Sequence, residues 1–308
     1  MTIQDAHTHF FSRQFFETLA ALSPRTEDST SLLEEVSDAT GIEIPSDDLE
    51  AHTDRWLEEM GLHGVERMVT FASLPTEAEA VAEAAQRSKG RLLPYTLVDP
   101  TTDKSLPFVE RAFGELGFRG LLTFPAMHHF LPDDDCCHDV YAMAEASNAP
   151  VIVHCGILSV KLRDLLGLPR PYDLSFANPL SLVPAANRFP DVTFVVPHFG
   201  GGFLREVLML GMQCENVYVD TSSSNDWMRS KPGGIELADV FADALNVYGS
   251  ERILFGTDSS TFPRGYRADI RDNQLAALGA ASASSEQVEN IMGGNLARLL
   301  PALQPNNA

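Results

Sequence analysis

The chain has 308 residues, 44% of them hydrophobic and 21% charged, enough to bury one large core, and it carries a formal net charge of -21. That balance excludes nucleic acid and anionic membrane surfaces as partners, because both need clustered positive charge. No basic segment followed by an apolar one opens the sequence and no apolar run reaches bilayer length, so a cytoplasmic protein is expected.

Short apolar, β-branched runs alternate with helical stretches, the order of parallel α/β architecture. Strands are predicted near residues 2–6, 67–72, 92–98, 118–123, 150–154, 192–197, 216–220 and 252–257. Between them lie segments such as "LEAHTDRWLEEMG", "PTEAEAVAEAAQRSKG", "CHDVYAMAEASN" and "GIELADVFADALNVYG". Several of these segments start after Pro, Ser or Asp and stop at Gly or Asn. "SSEQVENIMGGNLARLL" reads as a C-terminal helical cap interrupted at Gly293 and Gly294. Eight strand–helix units fill the length, so residues 1–308 are expected to form a single (β/α)8 TIM barrel. The connections over 10–49 and 155–178 are longer than a barrel needs and are expected as lids or specificity loops.

Metal-type ligands stand at the ends of these runs. His7 and His9 close "TIQDAHTH", His154 follows "APVIV", His198 follows "VTFVVP", and Asp258 follows "RILFGT". Side chains two apart in a strand share a face, which pairs the imidazoles of His7 and His9 and puts Asp5 beside them as a candidate to orient one. A single histidine at a strand end is often only a hydrogen-bonded cap, but ligands at the C-terminal ends of separate strands are how such a barrel builds a metal site. We therefore expect one divalent ion, Zn2+ by preference with Mn2+ or Fe2+ also suited, held by His7, His9, His154 and Asp258. His198 and Asp258 are the expected acid–base pair. Cys155 should face away from the site by alternation, and the four cysteines show no disulfide or zinc spacing.

"DAHTH", "GFRGLLTFP", "VIVHCG", "VVPHFGGGFLRE" and "ILFGTDSS" resemble the amidohydrolase superfamily, in particular the branch that includes aminocarboxymuconate semialdehyde decarboxylase. The resemblance runs through nearly the whole chain. It implies His7, His9 and His154 as ligands, Asp258 as the eighth-strand carboxylate, His198 as an acid–base residue and a homodimer as the assembly. The fourth strand ends in Leu122, Thr123 and Phe124 without the lysine that bridges two ions in binuclear members, which points to one ion.

Arg264, leaving the eighth strand, is the candidate to bind a substrate carboxylate, with His128 and His129 as further substrate-binding candidates; Lys161, Arg163 and Arg170 are weaker ones. The expected activity is hydrolysis of a small, carboxylated ester, lactone, amide or vinylogous acid by metal-activated water. Non-oxidative decarboxylation is the alternative on the same site, and a non-catalytic metal-stabilised binding protein is the alternative from another class.

Overall fold

Alternation within each apolar run sorts its side chains into two layers. Val69 and Phe71 join Leu93, Tyr95, Leu122, Ile152, Val195 and Leu254 in an inner cluster. Met68 and Ala72, one residue out of step, pack instead against Trp56, Met60 and Val81 of the outer helices. The computed structural model describes residues 1–222 and 226–301. It contains β1 (Ile3–His9), β2 (Val65–Ala72), β3 (Leu92–Leu97), β4 (Gly120–Thr123), β5 (Val151–Val153), β6 (Phe194–Val196), β7 (Val217–Asp220) and β8 (Ile253–Leu254). The strands pair in sequence order, every pair parallel.

Residues just beyond β8 close the ring on β1. Ala6 N donates to Phe255 O at 2.7 Å, Asp258 N to His7 O at 2.9 Å and His9 N to Ser259 O at 2.8 Å. The (β/α)8 barrel expected from the sequence is the observed fold. The C-terminal cap seals its floor: Leu296 and Leu300 enter the inner cluster, and the buried Arg67 donates to Leu300 O at 2.7 Å and to Gln4 Oε1. At Gly293 a Cβ would come within 2.4 Å of Thr2 O, so glycine lets the cap lie against the start of β1. The helix Ala268–Ala280 is absent from the predicted elements; its buried residues Ile270, Gln274, Ala277 and Leu278 make no clean apolar stripe.

The two long connections form one body over the mouth, the cap of the cavity and distinct from the C-terminal plug at the floor. Helices α1 (Arg13–Ala21) and α2 (Ser29–Thr40) bury Phe15, Phe16, Leu19, Leu32, Leu33 and Val36 against Leu166 and Leu168 of the other connection. Ser23 Oγ and Arg25 Nη1 donate to Leu166 O and Leu165 O across the same junction. Asp28 caps α2 by accepting from Thr30 N and Ser31 N, and Gly41 ends it at φ 71°. No helix among the described residues is long and apolar enough to cross a membrane.

Removing the floor plug should loosen the whole barrel. Leu296→Ala should cost about 2–5 kcal/mol, read as a lower denaturant midpoint with an unchanged slope.

Candidate metal centre

β1 reaches the mouth through a bulge. Asp5 pairs with Met68 but Thr8 with Thr70, so β1 carries one residue more than β2 over this stretch. The irregularity separates Asp5 from the histidines it was expected to accompany. His7 and His9 line the mouth, whereas the Asp5 carboxylate accepts from Thr257 Oγ1 at 2.6 Å, Thr257 N at 3.2 Å and His7 N at 3.0 Å. Asp5 thus ties β1 to Thr257, in the segment that follows β8, rather than holding an imidazole ring.

His154 follows Ile152 in the inner register and also lines the mouth, while Cys155 turns outward into the helix-facing core as expected. Continued alternation from Val195 would send His198 outward. A left-handed backbone at His198 (φ 58°) and Phe199 (φ 50°) turns it in, and Asp258 has the same conformation at φ 60°. Such backbone is costly for residues with a Cβ and concentrates at functional sites. The ring centroids of His7 and His198 are 4.8 Å apart and those of His154 and His198 5.2 Å apart. His9 Nε2 lies 3.4 Å and His7 Nε2 3.9 Å from Asp258 Oδ1.

Each of three rings is held by its Nδ1. His7 Nδ1 meets Asp220 Oδ2 at 2.8 Å, His9 Nδ1 meets Ser73 Oγ at 2.7 Å, and His198 Nδ1 meets Ser222 O at 3.0 Å and Ser222 Oγ at 2.9 Å. A carboxylate and a carbonyl only accept, so His7 and His198 carry their proton on Nδ1 and keep the Nε2 lone pair free. His154 differs: its buried Nδ1 has no hydrogen-bond partner among the described residues.

Asp220 is the residue that sequence reasoning missed. Its Oδ2 holds His7, while its Oδ1 accepts from His198 N and from the Ser222 amide and hydroxyl. The signal was available: Tyr218 faces the barrel interior, and Asp220 is the next inward position, at the end of β7.

Burial raises the carboxyl of Asp258, but the His9 hydrogen bond and the electrostatic pull of the His7, His9 and His198 rings outweigh it and hold the group well below its ordinary value. Asp220 is likewise lowered, by His7 against burial, and Asp220 in turn raises His7 against burial. Burial lowers His9, His198 and, furthest, His154, which the neighbouring histidines depress again. Asp5 is pushed up to about 7 by burial.

The donor set suits a divalent ion. Ligand atoms of His7, His9 and Asp258 all lie within 4.8 Å of one another, and so do those of His7, His198 and Asp220. The first group faces the cavity; in the second, Asp220 is occupied with the far nitrogen of His7 and does not line the cavity. His154, with its orphaned nitrogen, lines the same cavity as the first group, and an ion would satisfy a buried polar atom that no other described residue does.

Above these groups is a cavity of about 900 Å³. Phe11, Phe15, Phe16, Phe124, Trp227 and Phe262 make much of its wall, with Ile42 and residues 157–162 from the cap. Arg264 lines it as an exposed side chain, donating to Ser260 Oγ at 3.0 Å, and Lys161 stands at the rim. Arg170 is occupied by Asp164. His128 and His129 do not line this cavity: the His129 ring is engaged by Pro171 O, and His128 Nδ1 lies buried 3.9 Å from Asp99.

A family model described as Amidohydrolase matches residues 4–302, and the chain belongs to that family. No curated protein matches it in sequence. Among solved structures, the 5-carboxyvanillate decarboxylase of Sphingomonas paucimobilis superposes with a TM-score of 0.66 at 15% identity, over 97% of this chain and 98% of that one. The 5-carboxyvanillate decarboxylase of Novosphingobium aromaticivorans, with bound manganese, gives 0.65 at 14% identity over 97% and 96%. An amidohydrolase of Burkholderia multivorans with bound zinc gives 0.63 at 14% identity over 97% and 99%. At these identities the likeness carries the fold alone.

A Cβ at Gly256 would fall 2.9 Å from both His7 Cβ and Ser222 Cβ. Gly256→Ala should displace His7 and lower metal uptake at least tenfold while leaving the far-ultraviolet circular dichroism of the barrel unchanged. Unaltered uptake would show that His7 tolerates the shift.

Proposed function

We propose that this protein is a metal-dependent hydrolase that takes a small carboxylated ester, lactone, amide or vinylogous acid. One divalent ion, zinc by preference, would be held by His7, His9, His154 and Asp258. The observation that carries the reading is His198: with its Nδ1–H donated to Ser222 O, it offers a basic Nε2 in the same cavity as Asp258. When bound, the ion would lower the pKa of a coordinated water to about 7. His198 Nε2 takes a proton from water at the cavity floor and returns it to the leaving group. Asp220 keeps His198 and His7 in place through the transfer, and Arg264 binds the substrate carboxylate at the rim. The lack of a lysine at Leu122, Thr123 and Phe124 supports a single ion.

Non-oxidative decarboxylation is favoured by a different feature, the aromatic wall. It suits a planar aromatic or diene acid and keeps water from the carboxylate that would leave as carbon dioxide. A binding protein without chemistry would have no use for the strained backbone that turns His198 inward.

Metal-loaded protein offered lactones, muconate-like acids and aromatic acids should release acid without carbon dioxide; carbon dioxide would transfer the assignment to the lyase. Elemental analysis should give one ion per chain, and two tightly bound ions, or none in active protein, would refute the ligand set. His198→Ala should keep the ion and lose about 10²- to 10⁴-fold in turnover, whereas His7→Ala should lose most of the metal.

Arg264→Ala should raise KM much more for an acidic substrate than for its neutral ester, at constant metal content. Equal losses on both would make Arg264 a structural residue.

A further inference from the structure

Glu77 ends the short turn Pro75–Glu77 after β2 and is fully buried. No cationic side chain within ion-pair distance balances it among the described residues, and burial pushes its carboxyl up to about 7. Its two oxygens are divided between two connections. Oε1 accepts from Ser12 N at 2.5 Å and Oε2 from Ser73 N at 2.9 Å. Ser12 is the residue on which α1, the first helix of the cap, begins; Ser73 is the residue whose hydroxyl holds His9 Nδ1.

A second path joins the same two places. Phe11 stacks on His9 with centroids 4.8 Å apart and on Phe15 of α1 at 4.2 Å, and its backbone is left-handed at φ 43°. A bulky residue holds that conformation only where its surroundings impose it. Leu74, next to Ser73, packs into the cap core, so both routes lead from α1 to His9.

We propose that Glu77 is a positioning residue that couples the cap to the metal centre: one carboxylate fixes both where α1 begins and where Ser73 holds the ring of His9. The proposal rests on His9 being a metal ligand. Coupling of this kind is reciprocal, so filling the centre steadies the cap and displacing the cap loosens His9. A carboxylate is required because both of its oxygens must accept; a glutamine would present a donor to one of the two amides.

The test uses the full chain, with Co2+ as the probe and hydrogen exchange as the second readout. Wild-type protein should show a visible Co2+ absorption band that His9→Ala alters. A missing band, or one indifferent to His9→Ala, overturns the ligand reading and this proposal with it. Where the band behaves as expected, Glu77→Gln should shift it, weaken Co2+ binding about tenfold and speed amide exchange over residues 12–21. Ser73→Ala should shift the band and leave exchange in the cap unchanged, because the backbone clamp survives. If Glu77→Gln speeds exchange but keeps the wild-type band and affinity, Glu77 is only structural and the coupling is refuted. Should that variant fail to fold, wild-type protein decides: Co2+ should slow exchange over residues 12–21, and identical exchange with and without Co2+ overturns the coupling while sparing the ligand reading.

Discussion

The contact between Asp220 and His7 governs how the mouth of this barrel is organised. An imidazole has two nitrogens and only one can face the cavity with a lone pair, so the other must be given an acceptor. Asp220 supplies it for His7 at 2.8 Å and, through its second oxygen, holds the backbone of His198 and the hydroxyl of Ser222. One buried carboxylate therefore orients two of the histidines at once. Its burial is outweighed by the electrostatic pull of His7 and the hydrogen bond to that ring, with His198 and Ser222 adding to them, so its carboxyl lies below the ordinary value.

That arrangement depends in turn on the seam of the barrel. His7 and His9 come from the first strand and Asp258 from just past the last. Three backbone hydrogen bonds between these segments bring Asp258 to both rings. The glycine at 256 allows the approach, since any Cβ there would collide with His7. The cap is assembled by a separate means, apolar packing between two connections distant in sequence. The floor and the roof of the cavity thus have different origins, the floor fixed by strand ends and the roof by a small core of its own.

Much of this was legible in the sequence, because strand-terminal ligands need only the strand periodicity to be found. His7, His9, His154, His198 and Asp258 do meet around one cavity, and the two long connections do cover it. What escaped was whatever broke the period. The bulge in β1 turns Asp5 away from the face on which alternation puts it, and no residue type in "IQDAHTH" marks it. His198 needs a left-handed turn to enter the site, which alternation cannot express. Asp220 was within reach, being in step with Tyr218, but an aspartate between "YV" and "TS" looks like an ordinary strand end unless every inward position is followed to the mouth. His128 and His129 show the opposite error: proximity to the fourth strand end does not put a side chain in the cavity when the chain turns at once into Pro125–His128.

The plug at the barrel floor also bears on how the chain is made. Leu296 and Leu300 are synthesised after all eight strands, and the partners of β1 at the seam, Phe255 to Ser259, come only after β8. Until they leave the ribosome, β1 keeps an unpaired edge and the interior of the barrel is open from below. Such edges recruit strands from other chains, and non-local parallel pairing is slow to form. A formal charge of -21 acts throughout that interval, since nascent copies repel one another over the same distances at which their edges would meet.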